Sequence, residues 1–137
     1  MSSGWVPVIS PIGCSLDDSD DTVFNINADT AAGSIANAVS ADLTMFMTDV
    51  PGVLDGPGGN LYPSLTSEQI DGLKASGVIT GGMIPKVSYA LHACEGGGRS
   101  VIADGRVEHA LVRQVFRFYG SGAVEEEGDG GGTFVSL

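Results

Sequence analysis

The stretch DLTMFMTDV at 42–50 constrains the fold more than any other part of the chain. Its apolar run, LTMFM at 43–47, does not alternate with polar residues, as an inner parallel strand covered on both faces does not. Covering both faces takes helices above and below the sheet. The strand's C-terminal end delivers Thr48 and Asp49 to the edge where open α/β sheets bind ligands. A turn and the glycine-rich loop VPGVLDGPGGN at 50–60 follow; the loop lacks GxxxxGK[ST] and the full dinucleotide fingerprint, so neither site is supported.

The flanking segments fit that layered arrangement. VPVIS at 6–10 reads as a buried strand running into the turn PIG, and VFNIN at 23–27 alternates as a short strand does. The first strand begins almost at Met1, which suggests the later part of something larger. Between them SLDDSDDT at 15–22 is an acidic loop without the glycine and terminal Glu of an EF-hand, hence a solvated segment rather than a calcium site. ADTAAGSIANAVSA is a small-residue helix with Ile35 and Val39 on one face and Asp29 near its start, where the helix dipole favours an acid. LTSEQIDGLKASG at 65–77 is a punctuated helix: Thr66 as N-cap, Gln69 closing a capping box, Leu65 and Ile70 as a hydrophobic staple, Gly77 as the stop. MIPKVSYALHACEGG places Val87, Ala90, Leu91 and Cys94 at helical spacing, with Pro85 in the first turn. RSVIADGR predicts a strand and turn, HALVRQVFRFYG an amphipathic helix, and GGGTFVSL a last strand after the acidic EEEGDG. Alternating strands and helices predict an α/β layered sheet with parallel strands.

Size and charge narrow the function. At 137 residues the chain is about one domain, and 17 acidic against 6 basic residues leave a net charge of -11. That balance argues against a nucleic-acid groove, which needs a surplus of Lys and Arg. It does not exclude a small anion held by helix N-termini and loop amides. Cys14 and Cys94 lack CxxC spacing and read as reduced, packed thiols, and His92 and His109 form no zinc motif. No apolar run is long enough to span a membrane, and the N-terminus lacks a secretory signal, so the chain reads as cytoplasmic, or as organellar after removal of a targeting peptide.

Two stretches carry chemistry. GVITGGMIPKV at 77–87 sets Lys86, one of only two lysines, at or near a helix N-terminus, where its charge opposes the dipole. A violation of that kind suits an anion site, with the glycines leaving backbone amides to converge on a phosphoryl group; the alternative is an ordinary surface lysine after a tight turn. NINAD at 25–29 puts Asn25, Asn27 and Asp29 at alternate positions, where they could face one way. Amides can bind a carboxyl or phosphate and an aspartate can hold a lysine; equally, these are common turn and cap residues.

Taken in order, PVISPIG, NINADTAAG, TDVPGVLD, GVITGGMIPKV and DGRVEHAL resemble the C-terminal half of the acetylglutamate kinases, within the amino acid kinase family. The resemblance runs over nearly the whole chain. It implies a three-layer αβα sandwich with a mostly parallel sheet, residues 1–137 forming the ATP-binding lobe and the N-terminal substrate lobe being absent. It further implies ATP-dependent phosphorylation of the side-chain carboxylate of N-acetyl-L-glutamate in arginine biosynthesis, with Mg2+ accompanying the nucleotide. On this resemblance Lys86 stabilises the transferring phosphoryl group, Asp29 organises the catalytic lysines and Asn25 binds acetylglutamate. Asp49, Val50, Pro51, Gly52, Val53 and Leu54 match the nucleotide-binding turn, and Val78, Ile79 and Thr80 fall where the family contacts adenosine. His109 and Asp129 resemble part of an arginine-effector region. The family's second phosphate-binding lysine, a glycine pair and a substrate arginine belong to the absent half, so the chain is expected to need that half, or a homo-oligomeric partner, and to catalyse little alone. The competing reading is a non-catalytic nucleotide- or arginine-binding module, or a structural subunit that keeps the fold.

Overall fold

The structure, a computed structural model, describes residues 4–17, 19–120 and 131–137. Its framework is a four-stranded sheet of β3 (Leu43–Thr48), β4 (Ser64–Thr66), β5 (Arg99–Asp104) and β6 (Thr133–Ser136), ordered β3-β5-β6-β4. A separate antiparallel pair joins β1 (Ile12–Cys14) to β2 (Val23–Asn25). The helices are α1 (Ala28–Ala38), α2 (Ser67–Ala75), α3 (Met83–Cys94) and α4 (Ala110–Gly120). β3 lies parallel to β5 and β4 parallel to β6, while β5 and β6 run antiparallel, so the sheet is mostly parallel as its sequence predicts.

Two hydrophobic layers sandwich the sheet. Phe46, Ile102 and Val135 project into a core shared with Ala36 of α1, Ile70 of α2, and Val87, Ala90 and Ala93 of α3. The intervening positions Met45, Val101, Ala103 and Phe134 pack on the opposite side with Phe118 of α4. The two-residue period of each strand thus splits one apolar run between two helical layers. Leu43–Thr48 is the inner-type sequence that called for this arrangement, yet the strand it forms lies at the sheet edge, and β5 is covered by neighbours on both sides.

The helix signals operate as local chemistry dictates. Thr66 and Gln69 close a reciprocal capping box, with Leu65 and Ile70 both buried beside it. At the other end of α2, Gly77 at φ +75° lets the amides of Gly77 and Val78 donate to the carbonyls of Lys74 and Leu73, a Schellman termination. Asn27 caps α1, its side-chain oxygen accepting from the amides of Asp29 and Thr30.

The segment at 6–10 corrects the sequence reading. It forms no strand, and Val6 and Val8 are 85% and 97% exposed. Pro7 and Pro11 remove two ladder donors, and no described element of the chain lies over these side chains to bury them. The strand starts only at Ile12. In the acidic loop that follows, Asp17 accepts from the amide and hydroxyl of Ser19, and Asp20 from those of Thr22, so the carboxylates close local turns.

Candidate active site

The loops after β3 and α2 meet the start of α3. Val50, Gly52, Val53, Leu54, Gly56 and Pro57 face Val78, Ile79, Thr80 and Met83 across an open, largely apolar cleft. Of the residues expected to hold a nucleotide, Val50, Gly52, Val53, Leu54, Val78, Ile79 and Thr80 come together here although the two groups lie more than twenty positions apart. Asp49 and Pro51 are not among the lining residues: Asp49 accepts from the Thr48 hydroxyl at 3.3 Å, and the Pro51 carbonyl, within the turn, accepts from the Gly132 amide at 2.7 Å. Met83, Gly56 and Pro57 are lining residues that sequence reasoning missed. Met83 had a signal, since it begins the helix three positions after Thr80.

One turn into α3, Lys86 Nζ donates to Asp29 Oδ2 at 2.7 Å. Their side chains are 17% and 30% exposed, so the pair is largely shielded while one side stays open to solvent. Each charge is positioned by a helix start: Asp29 follows the Asn27 cap of α1, and Lys86 is the fourth residue of α3. Close packing of α1 on α3 brings them together, and Gly33 is part of that approach, because a Cβ there would stand 3.0 Å from the Tyr89 carbonyl oxygen. The side-chain acid favours the α1 dipole and offsets the lysine's unfavourable position on α3.

The three alternate residues of NINAD separate by role. Asp29 takes the lysine, Asn27 is consumed as the α1 cap, and Asn25 stands exposed at the end of β2. The expected convergence of TGGM amides is also reduced. The Met83 and Ile84 amides donate back to the Thr80 and Gly81 carbonyls, an arrangement in which Gly81 adopts φ +55°.

His109 sits just before α4 with φ +60°, its side chain exposed and its Nε2 3.4 Å from Glu108 Oε1; its carbonyl accepts from the Arg113 amide. Asp129 lies outside the described residues. Among the described residues no three His, Cys, Asp or Glu side chains cluster as a metal site, and no helix is long and apolar enough to cross a membrane.

A second set of contacts reaches the cleft from the C-terminal segment. The Val53 amide donates to Thr133 Oγ1 at 2.8 Å in a buried setting, and a Cβ on Gly52, whose φ is +150°, would fall 2.6 Å from the same oxygen. No local pattern announces this contact, which joins positions 80 residues apart.

A mostly parallel α/β sheet whose loops form a cleft, with a lysine–aspartate pair on the helix that starts at that cleft, places the chain in the class of layered α/β domains with a candidate ligand site at the loop ends. The model of the amino acid kinase family matches residues 1–104, and the chain belongs to that family. It is 50% identical over 123 residues to the acetylglutamate kinase of Gluconacetobacter diazotrophicus, covering 89% of this chain and 38% of that protein. It is 47% identical over 128 residues to the acetylglutamate kinase of Nautilia profundicola, covering 93% of this chain and 45% of that one. The matched region therefore spans less than half the length of these relatives. Among solved structures, N-acetylglutamate synthase from Neisseria gonorrhoeae, complexed with coenzyme A and L-arginine, superposes with a TM-score of 0.70 at 23% identity, over 92% of this chain and 26% of that one. Carbamate kinase from Giardia superposes with a TM-score of 0.60 at 21% identity, over 90% and 36%. These two likenesses establish the fold.

Proposed function

We propose that this chain is the nucleotide-binding part of an acetylglutamate kinase, acting in ATP-dependent phosphorylation of the side-chain carboxylate of N-acetyl-L-glutamate. The observation that carries the reading is the Lys86–Asp29 pair at the start of α3, the same helix whose first residue lines the cleft. Val50, Val53, Leu54, Val78, Ile79 and Met83 supply apolar walls suited to the flat face of adenine, and Thr80 adds a polar edge. The phosphates would then extend toward Lys86.

The reaction needs no covalent enzyme intermediate. A carboxylate oxygen of acetylglutamate forms a bond to the γ-phosphorus, the bond from that phosphorus to the β,γ-bridging oxygen breaks, and ADP leaves with the electron pair. The protein's part is positioning and charge stabilisation. Lys86 supplies a positive charge for the equatorial oxygens, and Asp29 fixes the ammonium so that it need not reorganise. Asn25, exposed beside α1, is the residue we place against acetylglutamate. Mg2+ would arrive with the nucleotide phosphates, neutralising their charge, rather than in a cage of protein side chains.

Catalysis on this reading requires more than the present chain. Trp5, Val6, Val8 and Ile9, together with Val23 and Phe24, expose apolar surface at the β1–β2 end. The part of the relatives beyond the matched region is the occupant we propose for that surface, completing the substrate pocket. Regulation by L-arginine near His109 belongs to the same proposal, as does a place in the cytoplasm or an organelle interior. The test is calorimetry with ATP, followed by phosphorylation of N-acetyl-L-glutamate by the chain alone and with the remaining part of a related kinase added as a separate polypeptide. ATP binding, little turnover alone and a gain on addition are expected. Failure to bind ATP would overturn the reading.

A further inference from the structure

The turn that forms one wall of the cleft is tied on its C-terminal side to residues 60–62, the Tyr62 amide donating to the Val53 carbonyl at 2.8 Å beside a Leu54–Leu61 bridge, but these bonds leave the Pro51 carbonyl and the Val53 amide to be satisfied from elsewhere. Gly52 occupies a backbone conformation that side chains rarely adopt, and the Val53 amide is buried, where an unpaired donor is costly. Its partner is the hydroxyl of Thr133, which is itself fully buried. The adjacent Gly132 amide donates to the Pro51 carbonyl at 2.7 Å, so two consecutive residues of the C-terminal segment grip the turn on either side of Gly52.

That segment is held in turn from α4. Gln114, at 0% exposure, donates from Nε2 to the Gly131 carbonyl at 2.8 Å. Arg117 donates to the same carbonyl and, at 3.2 Å, to Gln114 Oε1, while its guanidinium lies 5.2 Å from the Phe134 ring centroid. Burial lowers the Arg117 pKa because desolvation disfavours the charged form, and its acceptors work against that loss. A Cβ on Gly132 would stand 3.1 Å from Gln114 Nε2, so the contact leaves no slack. An amide buried in an otherwise apolar layer is costly unless satisfied, and the carbonyl it satisfies belongs to the segment that grips the cleft.

We propose that Thr133 and Gln114 are positioning residues for the cleft: α4, through residues 131–133, holds the 51–53 turn in the shape that receives the nucleotide. Neither residue is among those that line the cleft. The ligand class rests on the proposed function; the mechanical link does not.

The test uses the chain as it stands, with Thr133→Val removing the acceptor at nearly constant shape and Thr133→Ser retaining it. Amide exchange is followed at Val53 and at the core residue Ile102, and ATP affinity by calorimetry. Thr133→Val is expected to speed exchange at Val53 by about tenfold while Ile102 is unchanged, and to weaken ATP binding by about three- to tenfold; Thr133→Ser restores both. Gln114→Met makes the same test from the other side, read at the Gly132 amide and in ATP affinity, should Thr133→Val fail to fold. Unchanged exchange at Val53 and at Gly132 overturns the link. Faster exchange with unchanged ATP affinity overturns the positioning role. A wild-type chain that does not bind ATP, with exchange still responding, upholds the link and overturns the nucleotide reading instead.

Discussion

Lys86 and Asp29 lie 57 positions apart in the chain, yet their side chains meet at 2.7 Å because both occupy the first turns of helices that pack against each other. The geometry makes two substitutions informative. On the proposed function, Lys86→Ala in the assembled enzyme is expected to lower kcat by at least about 10²-fold, because it would remove charge stabilisation from the transferring group. Asp29→Asn keeps the lysine but frees it, and is expected to cost about 10- to 100-fold in kcat. Urea unfolding should show about 1–3 kcal/mol lost in Asp29→Asn, from the partly buried ammonium left without its carboxylate. Steady-state kinetics alongside denaturation separate the two effects.

Gly52 offers a steric test of the cleft wall. Its φ of +150° and the 2.6 Å approach of a Cβ to Thr133 Oγ1 leave no room for alanine. Gly52→Ala is expected to destabilise the fold by about 1–3 kcal/mol and to abolish ATP binding in the fraction that folds. Gly72, exposed on α2 with open space around its Cβ position, is the control: Gly72→Ala should raise stability by about 0.5–1 kcal/mol. Thermal unfolding of both variants checks the contrast.

The capping box is a purely local contribution. Thr66→Ala removes the side-chain acceptor for the Gln69 amide and should cost about 1 kcal/mol, with ATP affinity unchanged. A variant that lost ATP binding without losing stability would show that α2 acts on the cleft in some other way.

Acid stability should report Asp104, at the C-terminal end of β5. Arg106 donates to both carboxylate oxygens, at 2.9 and 2.7 Å, and its amide donates to one of them, which lowers the Asp104 pKa from 3.8 to about 2. A pKa depressed in the folded state means the stabilisation is fully present above pH 3.8 and is lost as pH falls through about 2. Asp104→Asn should therefore flatten the loss of stability between those two pH values, as read by urea unfolding at a series of pH values.

The cysteines should differ in reactivity. Cys14, expected from the sequence to be packed, is instead exposed at the end of the short β1 strand, whereas Cys94 is packed as expected, its thiol contacting the Ala90 and Val135 carbonyls and the Ser100 hydroxyl, and burial raises its pKa. Mass spectrometry after iodoacetamide treatment is expected to show one adduct on the native chain and two in denaturant.

Much of this site was legible in the sequence, because helix caps, stops and the strand period are local chemistry. Thr66, Gln69 and Gly77 act where their spacing put them, and Asp29 and Lys86 stand at the helix starts that their neighbours predict. The roles of Asn25, Asn27 and Asp29 were not separable, since alternation in an extended chain does not reveal that Asn27 ends the extension by capping α1. VPVIS misled for a related reason: β-branched composition signals a strand, but a strand needs a partner, and only the folded chain shows that this one has none among the described residues.

By itself the sequence determined the α/β class, the places where the helices start and the residue types available for binding an anion, all of which follow from interactions within a few positions. Tertiary structure alone decided that Lys86 meets Asp29, that the loops after β3 and α2 share one cleft, and that Thr133 holds the turn. Those contacts span 57 and 80 positions for the ion pair and the Thr133 bond, and no local spacing encodes them. They arise because burying the sheet on both faces fixes where each helix and loop must lie.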